Sequence, residues 1–150
     1  MLEHCLPSPM GPLTVVEDDK AIVQLAWRAG RQDSSTLLDS AVSQLRAYLE
    51  GHRTAFDLPL RITGSAAQQK ACAAMAEIAF GDTKTYGALA RQIGVSAQAM
   101  GQLCGGNPIP ILIPCHRVLS ATGLGGFSGG IGVEDKVWLL KHEGAAGLLI

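Results

Sequence analysis

Hydrophobic and polar positions follow a strand-like pattern near the start of the chain and a helical one after it. Two β-prone runs flank a polar stretch at residues 17–20, which predicts a hairpin. From Thr36 to Leu49, apolar residues recur at the spacing of one helix face, and Gly51 follows as a stop signal. We therefore predict a small sheet and a helix in residues 1–62, and expect this part to serve as a scaffold.

The second half of the chain predicts helices whose starts are marked by capping residues. Three helices are expected to begin after Ser65, Thr85 and Ser96, because Ser and Thr side chains accept hydrogen bonds from the first turn. The first is expected to run to about Ala79. The other two, predicted at 86–93 and 97–104, are joined by a tight glycine-containing turn, which is the pattern of a helix-turn-helix.

A last helix is predicted from about Val133 to His142. The fold class is therefore α+β, with a small N-terminal sheet and helix subdomain in residues 1–62. A C-terminal helix-turn-helix subdomain of winged-helix-like type is expected in residues 63–150.

Composition and charge limit how the protein could bind nucleic acid. The chain has 150 residues, of which 47% are hydrophobic, enough for a substantial core. Only 17% are charged, and the net charge is −1, without the basic excess of a dedicated nucleic-acid binder. Contact with DNA must then come from a local cluster, helix N-termini and backbone amides.

The cysteines predict a reducing compartment. Four of them stand far apart, without a CxxC pair, at Cys5, Cys72, Cys104 and Cys115. The sequence shows no secretory signal, and no apolar run reaches the roughly 18 residues of a membrane span. We expect a cytoplasmic protein with reduced thiols and no membrane association. His4 beside Cys5 has no second pair at ligand spacing, so no metal is expected.

Cys115 and His116 stand side by side after an apolar run at residues 109–113. That run predicts a short strand, and Pro114, which cannot donate a ladder hydrogen bond, is expected to end it and to present Cys115. A thiol attacks as its thiolate, and a neighbouring imidazole can take its proton. The bare pair also fits a buried structural cysteine beside an exposed histidine, because adjacent strand residues point to opposite faces.

The residues around this pair indicate a function more specifically than the Cys-His pair alone. Residues 107–118 read NPIPILIPCHRV, which resembles the active-site signature of the O6-alkylguanine-DNA alkyltransferases, the methylated-DNA–protein-cysteine methyltransferases. The resemblance covers residues 65–144 well and the N-terminal half loosely, through residues 8–13. It implies a single-turnover reaction without a cofactor, in which one cysteine takes an alkyl group from guanine O6 and keeps it.

The resemblance also assigns catalytic roles. It makes Cys115 the acceptor, His116 the base that deprotonates the thiol through a water, and Glu143 the carboxylate that orients the imidazole. Such a carboxylate fixes the tautomer and stabilises imidazolium. Asn107 matches a hinge residue whose amide ties the broken backbone.

Further residues match the family's substrate and DNA contacts. The positions expected around the flipped guanine are Tyr86, Arg117, Phe127, Ser128 and Gly129. The hydroxyl of Tyr86 would donate to the leaving base. The positions expected against alkylated duplex DNA are Lys84, Ser96, Ala97 and Gln98. A target base must leave the stack to meet a thiol, so a helix-turn-helix and a base pocket belong together.

Three departures from the family pattern weaken the expected hold on duplex DNA. Gln98 takes the place of the family's intercalating arginine, and the turn before it is about two residues short. Phe127 replaces a tyrosine in a loop that is one residue short. The helix predicted at 97–104 has no lysine or arginine. Glutamine supplies neither the charge nor the planar stacking of arginine, so we expect weak duplex binding by a monomer.

Two other functions stay open at this point. The protein could be a lesion recogniser that recruits other repair proteins, although related non-transferring proteins lack the acceptor cysteine that this chain has. Alternatively, the fold could act on a non-DNA alkyl donor, such as a small molecule or a free alkylated base. The low positive charge and Gln98 favour that second alternative modestly.

Overall fold

A computed structural model of the chain describes residues 1–123 and 132–145. It shows mixed helix and sheet, with a small N-terminal sheet unit followed by a helical C-terminal unit, which confirms the predicted α+β class. The two compact units are Met1–Ile62 and Thr63–Ile150.

The first unit is built on a three-stranded antiparallel sheet of strand order β1-β2-β3. Its strands are β1 (Leu2–Leu6), β2 (Leu13–Asp18) and β3 (Ala21–Ala26). The predicted β2–β3 hairpin is confirmed, whereas β1 was not predicted. The hairpin turns at Asp19 and Lys20, whose φ angles of 47° and 62° are the left-handed values of a type I′ turn.

One helix, α1 (Thr36–Leu49), packs against this sheet and confirms the predicted helix. Ser35 caps it by accepting a hydrogen bond from the amide of Leu38. Its apolar face is buried, through Leu38, Ala41, Val42, Leu45 and Tyr48. This spacing is the amphipathic pattern that predicted the helix, so the scaffold follows directly from the sequence.

The second unit contains four helices and two very short strands within the described residues. In chain order these are α2 (Ala66–Ala76), β4 (Lys84–Thr85), α3 (Tyr86–Ile93), α4 (Ala97–Gly105), β5 (Val118–Leu119) and α5 (Val133–His142). Strands β4 and β5 pair in parallel. Helix α2 ends three residues before the predicted boundary, whereas α3 and α5 have the predicted bounds.

The helix-turn-helix of α3 and α4 is set by local capping. Thr85 accepts a hydrogen bond from the amide of Ala88, and Ser96 accepts one from the amide of Ala99. Gly94 ends α3 in the left-handed conformation, with φ 79°, where a side chain would be strained. These three residues stop one helix and start the next within a short turn.

The predicted strand at residues 109–113 is wrong. The segment is a compact turn in which the amide of Ile113 donates to the carbonyl of Ile109 at 2.8 Å, and Ile111 has a φ of 72°. A three-residue 3₁₀ turn, Cys115–Arg117, follows. The apolar side chains are buried because the turn folds into the core, and not because they lie in a sheet.

Within residues 1–123 and 132–145, no helix is long and apolar enough to cross a bilayer. Across the same ranges, no three His, Cys, Asp or Glu side chains are grouped so that they could hold a metal ion. All four cysteines are free. Chemistry at Cys115 therefore starts from a thiol and not from a disulfide.

Candidate active site

Cys115 lies inside the second unit. It is the first residue of the 3₁₀ turn, and only 4% of it is exposed, so the expectation that Pro114 would present it at the surface is wrong. After Pro114 the chain folds into the core, so Cys115 does not lie at the edge of a sheet. Burial raises the pKa of the Cys115 thiol to about 11, against smaller opposing effects of a hydrogen bond with Asn107 and the charge of Lys136. At neutral pH the resting group is therefore a thiol that needs a base.

His116 is paired with Glu143, the contact that the family resemblance implied. Their side chains are fully buried, and Nε2 of His116 lies 2.7 Å from Oε2 of Glu143. Burial lowers the pKa of His116, and the hydrogen bond to Glu143 opposes that effect. An ionised Glu143 only accepts, so Nε2 carries the proton and Nδ1 keeps a free lone pair. Nδ1 has no hydrogen-bond partner in the described part of the chain.

Arg117 holds Glu143 from the other side. Its Nε donates to Oε1 of Glu143 at 2.8 Å, and Nη2 donates to Oε2 at 2.9 Å. Nη1 donates to the carbonyl of Ile78, and the guanidinium lies 6.0 Å from the ring centroid of Phe80. Two hydrogen bonds from one guanidinium to the two oxygens of a carboxylate are among the strongest hydrogen-bond arrangements in proteins.

This geometry corrects the role expected for Arg117. Only 6% of the residue is exposed, and its guanidinium is directed at Glu143 rather than at a base or a phosphate. The same contacts explain how a carboxylate is stabilised at the end of a helix. Glu143 is the C-cap of α5, where the helix dipole disfavours negative charge. The cation of Arg117 offsets that penalty and keeps the carboxylate against His116.

Asn107 ties the turn that precedes the cysteine. Its Nδ2 donates to the carbonyl of Ile113 at 2.9 Å, and its Oδ1 accepts from the amide of Ile109 at 3.0 Å. The side chain is buried, so both backbone groups would otherwise lose their partners. The predicted tie across the broken backbone is confirmed.

Tyr86 begins α3 and lies near the buried thiols. Burial raises its pKa to about 12, with further contributions from Cys104 and Cys115. Its phenol therefore keeps its proton at neutral pH and can act as a hydrogen-bond donor. Nζ of Lys136 lies 5.6 Å from the centroid of the Tyr86 ring.

Lys136 was not identified from the sequence. It is fully buried on α5, and its Nζ donates to the carbonyl of Val118 at 2.6 Å. A lysine in a helix normally indicates a solvated face. The sequence spacing nevertheless indicated that Lys136 is buried. It precedes the buried Leu139 and Leu140 by three and four residues and so shares their helix face.

The residues expected to meet DNA lie on the surface of the second unit. Ser96, Ala97 and Gln98 are exposed at the start of α4, and Lys84 is exposed on β4. Helix α4 carries no basic side chain. The other expected base contacts, Phe127, Ser128 and Gly129, lie outside the described residues.

Comparisons with known proteins agree with this site. Residues 66–145 match the family model "6-O-methylguanine DNA methyltransferase, DNA binding domain", and residues 1–62 match its "ribonuclease-like domain". A methylated-DNA–protein-cysteine methyltransferase of Mycolicibacterium paratuberculosis is 38% identical, covering 95% of this chain and 94% of that protein. One from Metallosphaera sedula is 36% identical, with 92% and 90% covered.

A solved structure, Mycobacterium tuberculosis OGT in complex with DNA, superposes with a TM-score of 0.83 at 38% identity. The match covers 95% of this chain and 92% of that one. The fold and the buried thiol site thus define a DNA-repair type of alkyl acceptor. The chain belongs to the 6-O-methylguanine DNA methyltransferase family.

Proposed function

We propose that this protein directly reverses O6-alkylguanine damage in DNA by moving the alkyl group irreversibly onto Cys115. Each molecule reacts once, because the thioether product has no built-in route back to a thiol. The observation that carries this proposal is the buried chain of contacts from Arg117 through Glu143 to His116, beside Cys115, in a member of this family.

The first step is removal of the thiol proton. His116 is neutral, its Nε2–H is fixed on Glu143, and its Nδ1 lone pair accepts the proton of Cys115 through a bridging water. The imidazolium that forms faces an anionic carboxylate, which stabilises it. Arg117 supports the step by holding that carboxylate in place.

The second step is attack of the thiolate on the alkyl carbon. The new bond joins Sγ of Cys115 to that carbon, the bond from the carbon to guanine O6 breaks, and its electron pair stays on the base. Tyr86 donates a hydrogen bond to the base and stabilises this developing charge. The proton lost by the thiol is balanced by the one that the released guanine gains, so no other reactant is needed.

Access to the thiol requires the damaged nucleotide to leave the duplex. Cys115 is buried, so an alkyl group on a stacked base could not reach it. The helix-turn-helix of α3 and α4 supplies the surface for DNA, in line with the DNA complex of the mycobacterial relative.

The hold on intact duplex is part of the proposal and is weak. The exposed start of α4 carries Gln98 and no cation. Arg117 cannot supply the missing charge, because it is buried against Glu143. Only Lys84 and Arg91 are exposed cations on the neighbouring β4 and α3, so few phosphates are neutralised.

The test is the mass of the intact protein after incubation with an O6-methylguanine duplex. We expect the mass of one methyl group to be added, mapped to the peptide that contains Cys115, and none on Cys115→Ser. A methyl group on Cys5, Cys72 or Cys104, or an unchanged mass, would refute the proposal.

A second candidate is transfer from a free alkylated base, and the uncharged face of α4 favours it. The same experiment with free O6-methylguanine distinguishes the two. If the free base reacted faster than the duplex at equal concentration, the DNA assignment would give way to this one.

A further inference from the structure

The side chain of Gln68 joins two helices of the second unit. It stands in the first turn of α2 and is half-buried. Its Nε2 donates to the carbonyl of Leu103 at 2.8 Å, 35 residues along the chain, and to Sγ of Cys72 at 3.5 Å. An amide nitrogen has two hydrogens, so both are used and the orientation of the group is fixed.

Leu103 lies in the last turn of α4, the second helix of the helix-turn-helix. The last four carbonyls of a helix lack partners within it, so contacts made there determine how that end is held. Gln68 therefore fixes the C-terminal end of α4 to α2. The opposite end of α4, with Gln98, is exposed.

Gly106, which follows α4, comes close to the oxygen of the same amide group. A Cβ added at Gly106 would lie 2.5 Å from Oε1 of Gln68, closer than van der Waals contact allows. The φ of Gly106 is −86°, an angle that any residue can adopt. Glycine is therefore needed here for space. A larger residue would displace the amide of Gln68 from the carbonyl of Leu103.

These contacts lie between α4 and the reactive turn. Gly106 directly precedes Asn107, whose side chain holds the turn at 109–113, and Cys115 follows that turn. A shift at the end of α4 would reach Asn107 within two residues. The surface that binds DNA brings the flipped base to the thiol, so the position of α4 relative to Cys115 sets how the alkyl carbon meets Sγ.

We propose that Gln68 is a positioning residue, which holds the C-terminal end of α4 against α2 and so fixes the surface for DNA relative to Cys115. The assignment rests on the proposed function. Gln68 acts through α4. Its loss should therefore affect transfer from duplex, which α4 holds, and not transfer from the free base, which needs only the pocket and the thiol.

The test compares Gln68→Ala, which removes the amide, with Gln68→Glu, which keeps its shape but puts an acceptor against the carbonyl of Leu103. Gln69→Ala is the matched control, because Gln69 is the exposed neighbour on the same helix. The readouts are the single-turnover rate at saturating O6-methylguanine duplex, the rate with free O6-methylguanine, and the affinity for duplex.

Both Gln68 variants should lose about tenfold or more of the saturated duplex rate, since a misplacement of about 1 Å can cost about 10²-fold. Duplex affinity and free-base transfer should stay near the wild-type values, because the exposed start of α4 and the thiol are unaltered. Gln69→Ala should match wild type throughout. An unchanged duplex rate in a folded Gln68→Ala would overturn the proposal, and so would an equal fall on both substrates. If Gln68→Ala does not fold, Gln68→Glu replaces it with the same expectation.

Gly106→Ala tests the same contact from its other partner. Its Cβ should displace the amide of Gln68, so the midpoint of thermal unfolding should fall as it does in Gln68→Ala. In the double variant there is no amide left to displace, so the two losses should not add. Gly101→Ala is the control on α4, because its Cβ would meet open space among the described residues and should not lower the midpoint.

The unfolding midpoints also separate this proposal from the proposed function, because they need no alkyl donor. If wild type took no methyl group but the losses in the double variant did not add, the function would fail and the contact between Gln68 and α4 would stand. If wild type transferred a methyl group but the losses added, the positioning role of Gln68 would fail alone.

Discussion

Two regions of the second unit differ in their content of charged side chains. The interior around Cys115 contains the charged side chains of Arg117, Lys136 and Glu143, all nearly or fully buried. The surface of α4, a few residues earlier in the chain, has exposed Gln98 and no basic residue at all. Two of the cations of this unit, Arg117 and Lys136, therefore lie in its interior.

The difference separates chemistry from DNA binding. A single charge in a dry interior shifts the ionisation of its neighbours strongly, whereas duplex affinity accumulates over many screened phosphate contacts. The described interior therefore holds Cys115, His116, Arg117 and Glu143 together, whereas the surface of α4 carries no cation. Variants that alter one region should leave the function of the other largely unchanged.

The largest expected effect on transfer comes from His116→Ala. Without the imidazole, a thiol whose pKa is raised to about 11 has no adjacent base. General-base assistance is worth about 10²- to 10⁴-fold, so the single-turnover rate on O6-methylguanine duplex should fall by that factor. Duplex binding, measured by fluorescence anisotropy, should stay the same.

His52→Ala is the control for this variant, because His52 is exposed in the first unit. It should transfer at the wild-type rate. A wild-type rate for His116→Ala would show that the thiolate of Cys115 forms without the imidazole.

The next effect concerns stability. Arg117→Met leaves Glu143 as a buried carboxylate without its bidentate partner, and breaking a buried pair in this way costs about 3–5 kcal/mol. We expect the free energy of unfolding, from urea titration, to fall by that amount.

Arg91→Met removes an exposed arginine from α3 and should change the unfolding free energy by no more than about 0.5 kcal/mol. Equal, small losses in Arg117→Met and Arg91→Met would contradict the structural importance assigned to the buried pair.

The elements that could be predicted are those with local signals. Thr85, Gly94 and Ser96 specify where α3 ends and α4 begins, because caps depend only on neighbours in sequence. The apolar spacing of α1 predicted its buried face for the same reason. Cys115, His116 and Glu143 were predicted through the motif and its resemblance to a family.

The rest depended on contacts between distant residues. The apolar run 109–113 has the composition of a strand, but the Asn107 side chain takes over its backbone hydrogen bonds and folds it into a turn. The role of Arg117 depends on Glu143, 26 residues away, and on the carbonyl of Ile78. Lys136 was missed because a lysine in a helix normally faces solvent, although its spacing from Leu139 and Leu140 places it on their buried face.

The smallest effect, and the sharpest on the DNA side, is expected from Gln98→Arg. Gln98 is exposed on α4, so a guanidinium there would meet DNA without entering the site of Cys115. One added phosphate contact should steepen the slope of log affinity against log salt by about one. Binding should tighten most at low salt, and transfer from duplex below saturation should speed up in proportion.

Reaction with free O6-methylguanine should not change in Gln98→Arg, because the free base needs the pocket and the thiol but no grip on a backbone. The measurement is therefore a pair of transfer rates, on duplex and on free base, for wild type and variant at two salt concentrations. Gln98→Lys tests whether charge alone is enough, since lysine supplies a cation but not the planar stacking of arginine. Tight wild-type binding with a steep salt slope would contradict the weak-grip proposal. Lys84 and Arg91 would then be the first cations to test, because Arg117 is already bound to Glu143 in the interior.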